Sequence, residues 1–219
     1  MVSNLKELAE EVRNLLEETN QAREAALKVS REVIRFSSIS IKSSHRGQFE
    51  EACKVKSEAR AKLNELTELL KSSQEIYYAG YVQDAQKEYA ESELTYALIR
   101  DMDLPSYRDL GIEPAAYLNG MAEAIGECRR HVLDELRKGH LERVEELLET
   151  MDEVFYVLMA FDYPDAITQN LRRHTDMVRG VIERTRADIT LVRQQTRLEE
   201  AIRSATRLLN ADGSAGDNS

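Results

Sequence analysis

The sequence contains no tryptophan, only three prolines and only two cysteines. Each scarcity excludes something. Cys53 and Cys128 stand alone, without CxxC partners, so neither a zinc ribbon nor a disulfide framework is available. They read as reduced thiols of a cytoplasmic protein. No apolar run approaches the roughly 20 residues of a membrane span. The first stretch, Leu5–Glu18, is charged and amphipathic, unlike a secretory leader. A soluble protein with no membrane partner is expected. Pro105, Pro114, Pro164 and nine glycines leave few places where a helix must stop. β-branched residues are scattered and never alternate, so no strand is expected. A Gly-rich phosphate loop and a nucleophile–His–acid order are also missing.

Positive charge is in deficit too. Thirty Lys and Arg against forty Asp and Glu give a net charge of −10. A surface that is basic throughout is excluded, whereas a local basic patch is not. What is abundant is Ala, Leu, Glu and Arg, and these favour helix nearly everywhere. The 219 residues therefore read as one all-α domain over 1–209, with a tail over 210–219 (NADGSAGDNS) that has nothing to bury and is expected to be disordered.

The helices follow from apolar spacing. Positions 5, 8, 9, 12, 15 and 16 form a first amphipathic helix. Asn20 offers an N-cap for a second, running to about Ser44 and closed by His45-Arg46-Gly47, with Gly47 just past its end. A third spans Phe49–Leu70. Ser72-Ser73 marks a joint before Tyr77–Ile99. The stretch Asp101–Pro114 is the one substantial loop. Helices over Ala115–Lys138 and Leu141–Phe161 precede a break at Tyr163-Pro164. A long last helix starts near Asp165 and ends near Leu209, its stripe running Ile167, Leu171, His174, Val178, Val181, Thr185, Ile189, Val192 and Thr196. Nine arginines and no lysine lie along that helix, suited to ion pairs between subunits or to phosphate.

Two stretches carry the chemistry. In Gly80–Leu98, Tyr81, Ala85, Ser92, Tyr96 and Ile99 share a face, and Glu88 falls on its flank. Glu91 lies one turn on. An acid beside a core-facing stripe costs several kcal/mol, roughly, unless paired, protonated or bound to metal. In Tyr117–Arg130, Glu123 and Glu127 are four apart on a face that also holds Ala116 and Gly120, small enough for another helix to approach closely. Two helices with a carboxylate pair each suit a hard cation, Mg²⁺ or Mn²⁺. In a chain that is 32% charged, such pairs are more often solvated faces, so spacing alone does not make a site. A di-iron carboxylate bundle would need Glu-x-x-His pairs, and neither acid pair is followed by one.

Four phrases, SREVIRFSSISIKSSHRG (30–47), GYVQDAQKEYAESELTYAL (80–98), EPAAYLNGMAEAIGECRR (113–130) and MDEVFYVLMAFDYPDAITQNLRRHTDMVRGVIERTRADIT (151–190), together resemble the translin family, translin and translin-associated factor X. The resemblance covers about residues 20–200 in order. It implies a subunit of about seven helices closing into a barrel-like homo-octamer around short RNA or single-stranded DNA. Translin itself is chiefly a nucleic-acid-binding subunit and lacks the acid set. The factor-X branch carries the acids and is a divalent-metal-dependent endoribonuclease. That pattern falls on Glu88, Glu91, Glu123 and Glu127 as metal ligands and catalytic residues. Glu123 departs from it, since factor X has Asp there. A factor-X-like homolog is implied, with Mg²⁺ or Mn²⁺ as cofactor, single-stranded RNA and single-stranded DNA as partners, and a non-catalytic translin-like octamer as the alternative. Lys42, His45, Arg46, Arg129, Arg130, Arg172 and Arg173 are the expected nucleic-acid contacts.

Overall fold

The computed structural model describes residues 4–215, with side chains described as far as residue 207. Among these residues every regular element is an α-helix: α1 (Leu5–His45), α2 (Phe49–Leu69), α3 (Gln74–Tyr77), α4 (Gly80–Arg100), α5 (Tyr107–Leu110), α6 (Pro114–Lys138), α7 (Leu141–Met159), α8 (Asp165–Thr168) and α9 (Leu171–Ala215). Six are long and three are single turns, close to the seven that the resemblance implies.

The two helices expected before Ser44 are one. Asn20 lies inside α1 and caps nothing, because neither proline nor glycine interrupts the run and the backbone hydrogen bonds simply continue. The other end of α1 behaves as its sequence says. Gly47 adopts φ +70°, the Gly47 amide donates to the Ser44 carbonyl, and the Gln48 amide donates to that of Ser43. This closure turns the chain back, so α2 packs along α1 as a hairpin.

Helix α4 is the centre of the molecule. It packs against α1 on one side and α6 on the other, with α2 touching it as well. Val82, Ala85, Gln86, Tyr89, Ala90, Ser92, Leu94 and Thr95 are all buried, so the helix is covered nearly all round rather than along one stripe. Helices α7 and α9 then cover the far side of α6. The core joins Val33, Leu63, Leu66, Leu94, Ile125, Leu147, Met151, Val178 and Ile189 from six helices.

The expected loop over 101–114 holds one organised turn, α5. Its Ser106 hydroxyl accepts from the Asp109 amide while the Asp109 carboxylate accepts from the Ser106 amide. Pro114 then opens α6 at its first position, where the missing N–H costs nothing.

The last helix does not start at Asp165. Residues 165–168 form the single turn α8, and Gln169 and Asn170 take left-handed φ values of +52° and +67° before α9 begins. Ile167 is therefore exposed instead of joining the stripe, while Leu171, Val178, Val181, Thr185 and Ile189 are buried as expected. Helix α9 continues past Leu209 to Ala215, and residues 216–219 of the expected tail lie outside the described residues. Leu5, Leu8, Val12, Leu15 and Leu16 on α1, and Leu191, Leu198 and Ile202 on α9, are exposed in the single chain. Neither cysteine is in a disulfide. No helix among the described residues is long and apolar enough to cross a membrane.

Candidate metal centre

Gly120 decides how close α4 and α6 lie. A Cβ at that position would stand 2.6 Å from the Lys87 carbonyl oxygen, 2.7 Å from the Ala90 Cβ and 3.0 Å from the Glu91 amide nitrogen, which no side chain tolerates. The glycine lets the two backbones touch at the turn that carries the acids. Gln86 fixes the same junction from the other end. Its Oε1 accepts from the Glu113 amide at 2.8 Å and its Nε2 donates to the Tyr77 hydroxyl, which in turn donates to the Glu113 carboxylate.

This contact brings Glu88, Glu91 and Glu123 together. One carboxylate oxygen from each lies within 4.8 Å of the others. The electrostatics of three half-buried acids is unfavourable without a cation. Burial, followed by the charges of Glu88, Glu123 and Glu127, pushes the Glu91 carboxyl up to about 8. Burial also raises Glu88, and Glu123 and Asp84 add to it, while Lys87 opposes.

Lys87 is the cation that sequence reading passed over. Its Nζ is 2.8 Å from Glu123 Oε1 and 3.7 Å from Glu88 Oε1. Burial works against its charge, but the Glu123 hydrogen bond and the neighbouring acids prevail, leaving its pKa raised. The only signal in sequence is that it precedes Glu88 directly.

His174, a member of the α9 stripe in the sequence, stands at the same edge. The Asn119 amide nitrogen donates to the Ala115 and Thr168 carbonyls, both at 2.8 Å. Its oxygen must therefore face the His174 Nδ1, 2.6 Å away. That contact is a hydrogen bond only if Nδ1 carries the proton. The other ring nitrogen, Nε2, then faces Glu123 Oε1 at 3.8 Å. Burial lowers the histidine's pKa, so the neutral ring presents a lone pair at Nε2.

Glu127, expected as a fourth member, stands outside the three mutually close carboxylates. Its Oε2 is 2.5 Å from His45 Nε2 and 3.7 Å from Arg130. The His45 hydrogen bond, followed by the charges of His45 and Arg130, outweighs burial and holds Glu127 below the usual carboxylate range. Glu127 reaches the group only through its charge on Glu91.

The expected nucleic-acid contacts fall into two sets. Lys42, Arg46, Arg130, Arg172 and Arg173 are exposed. His45 has only 2% of its side chain exposed and is committed to Glu127, so burial removes it from any surface that phosphate could reach in this conformation. Arg129 is committed too, to Asp188 at 2.8 Å and the Thr185 hydroxyl at 3.0 Å, pinning α6 to α9. Farther along α9, Arg186 and Arg193 pair within the chain with Asp152 and Glu145 of α7.

The three carboxylates fit a small divalent cation by donor type. Hard oxygen ligands around Mg²⁺ sit roughly 2.0–2.1 Å from the ion, so opposite ligands are about 4.2 Å apart, and the three oxygens here already lie within 4.8 Å of one another. Glu88, Glu91 and Glu123 would hold the ion, with the Asn119-oriented His174 beside them.

No family model matches the chain. An uncharacterized protein of Methanocaldococcus jannaschii is 33% identical over 195 residues, covering 87% of this chain and 85% of the relative. Among solved structures, the crystal structure of AfC3PO superposes with a TM-score of 0.79 at 36% identity, covering 85% of this chain and 97% of that one. The structure of an AfC3PO–duplex RNA complex gives a TM-score of 0.74 at 37% identity over 85% and 97%. Apo-NeC3PO gives 0.75 at 25% identity over 88% and 98%. With its all-α architecture, its near-complete coverage of these structures and the phrases noted in its sequence, the chain belongs to the translin family, alongside the C3PO proteins.

Proposed function

We propose that this protein binds RNA and cuts it in a divalent-metal-dependent endoribonuclease reaction inside a homo-octameric shell. The observation that carries the reading is the convergence of Glu88, Glu91 and Glu123 from two helices held in contact by Gly120. The phosphodiester class is supported by the factor-X pattern on these acids and by the relative whose solved complex contains duplex RNA. The exposed Lys42, Arg46, Arg130, Arg172 and Arg173 supply the cations that a protein of net charge −10 needs locally for a polyanion.

A bound Mg²⁺ or Mn²⁺ would supply Lewis acidity at the phosphate and an activated water. The chain's own contribution is to hold and orient. Glu88, Glu91 and Glu123 would hold the cation. Lys87, already within 2.8 Å of Glu123, stands ready to turn its ammonium to a phosphate oxygen once the acids are neutralised. His174 is held in one tautomer by Asn119 and offers its Nε2 to a proton at the Glu123 edge. The exposed apolar residues of α1 and α9 call for neighbouring copies, and eight chains of 25.0 kDa make about 200 kDa. A cytoplasmic location accords with the reduced thiols.

Labelled single-stranded RNA incubated with Mg²⁺, Mn²⁺ or EDTA tests the reading. Cleavage should occur with metal, stop in EDTA, and be lost in Glu91→Ala and Glu123→Ala while RNA binding and the oligomer persist. One observation favours the non-catalytic alternative: Lys87 already neutralises part of the acid cluster. Metal-independent binding of RNA or single-stranded DNA with no cleavage under any condition would establish it.

A further inference from the structure

A cavity of about 570 Å³ opens at the edge of the carboxylate group, lined by Gln83, Lys87, Asn119, Gln169, Asn170 and His174. Lys87 and His174 belong to both places, since each also faces Glu123 Oε1. Whatever occupies the cavity is thus continuous with whatever sits at the carboxylates.

Four amides from three separate segments, α4, α6 and the α8–α9 junction, share the lining with Asp84 and Asp165, two acids that do not converge with each other or with the three glutamates among the described residues. An amide is neutral and offers a donor and an acceptor side by side. A phosphate would be met by clustered guanidinium or ammonium groups, and a second metal by convergent acids or imidazoles. An apolar ligand would be met by aliphatic walls. Paired donors and acceptors without charge are what the edge of a nucleobase requires, and Gln and Asn match such an edge through both atoms.

The amides are also built into tiers. Gln83, 4% exposed, donates through Nε2 to the Tyr77 carbonyl and accepts at Oε1 from Gln169 Nε2 at 3.3 Å. Asn119, 2% exposed, spends its whole amide on Ala115, Thr168 and His174. Gln83 thus holds one exposed amide, Gln169, while Asn119 fixes the α8 backbone at Thr168 and the His174 ring. Gln169 is left with its Oε1 open, and the Asn170 amide makes no side-chain hydrogen bond among the described residues. Both residues hold left-handed φ values, +52° and +67°, which a glutamine rarely adopts. Tyr78, an exposed aromatic ring, also lines the cavity and provides a face for stacking.

We propose that this cavity seats one unstacked nucleobase of single-stranded RNA, read at its edge by Gln169 and Asn170, while the adjoining phosphate lies at Glu88, Glu91 and Glu123. The placement of that phosphate rests on the nuclease reading above. The base selectivity does not require cleavage.

The test measures binding of the octaribonucleotides rA8, rC8 and rU8 to the full-length protein in EDTA, by fluorescence anisotropy. Wild type should prefer one base by about tenfold, in line with the discrimination of a two-atom amide–base contact. In Gln169→Ala and in Asn170→Ala the three affinities should converge to within about twofold, with thermal melts showing both variants folded. A fully paired duplex of the same length should show no preference in any of the proteins. Equal affinity of wild type for the three oligomers, failure to bind any of them, or a preference that survives both substitutions overturns the proposal. Metal and cleavage are absent from this assay. A protein that selects bases here but never cuts RNA refutes the nuclease reading and leaves the base site standing.

Discussion

His45 Nε2 meets the Glu127 carboxylate at 2.5 Å across 82 residues of chain, joining the C-terminal turn of α1 to the middle of α6. The other ring nitrogen, Nδ1, is buried with no hydrogen-bond partner among the described residues. The carboxylate is thus the one group that compensates the burial of this ring. Glu127→Ala should cost about 1–3 kcal/mol, the usual penalty for stranding a buried polar group. The sign with pH follows from the lowered Glu127 value. Its contribution is complete above the ordinary carboxylate value of 4.5 and is lost as pH falls through the lower folded value. Denaturant melts of wild type and variant should therefore converge under acid. Mn²⁺ affinity should change little in the variant, because Glu88, Glu91 and Glu123 remain.

Glu91 gives the opposite dependence. Its folded pKa of about 8 lies above the 4.5 of an ordinary glutamate, so the folded chain keeps a proton that the unfolded chain has lost. Between those values, metal-free stability should decline as pH rises. Glu91→Gln should flatten the decline and melt higher than wild type at about pH 8. Because the ligand form is the carboxylate, Mn²⁺ binding near pH 7 should release protons, measurable by calorimetry in buffers of different ionisation enthalpy.

Gly120→Ala tests the helix contact directly. The added methyl would collide with backbone of α4 at Lys87 and Glu91, and backbone cannot rotate away as a side chain can. A loss of about 1–3 kcal/mol is expected from the overpacking. Mn²⁺ affinity should fall as well, since the shift separates Glu88 and Glu91 from Glu123. Gly126→Ala serves as the control, because a Cβ there meets nothing within 4 Å.

RNA affinity should fall steeply with salt, with a log–log slope of roughly −0.7 for each single-strand phosphate neutralised. Substituting Arg172 and Arg173 together should make that slope shallower by about one to two units in a filter-binding titration across salt concentrations. Arg129→Ala should instead lower stability, because its guanidinium already holds Asp188 and Thr185.

Much of this protein was decided along the sequence. The scarcity of proline and glycine and the absence of alternating β-branched runs required long helices. Gly47 and Gly139 ended two of them where local backbone chemistry demands a positive φ. The sequence singles out Glu88 because an acid beside an apolar stripe needs a compensating partner, and Glu91 one turn on. It also singles out the pair Glu123 and Glu127, whose face carries the small residues Ala116 and Gly120 that announce a close neighbour. Of the four, Glu127 is the one the structure turns elsewhere. These signals are local or periodic, and a sequence displays them without the fold.

Other features depend on what meets across the molecule. Asn20 serves either as a cap or inside a helix, and the lack of proline and glycine around it permits a continuing helix without requiring one. The break at Gln169-Asn170 carries neither glycine nor proline, and although Asn tolerates a positive φ, nothing in the local sequence calls for two in succession. Glu127 and Glu123 share a face of α6, yet one turns to His45 on α1 and the other to Lys87 on α4. Spacing on a single helix cannot distinguish them, because which cation or carboxylate each acid meets is set by the neighbouring helices. For the same reason the apolar spacing of α9 placed His174 in a core stripe, and only the approach of Asn119 and Glu123 from α6 fixed its tautomer and brought it to the site.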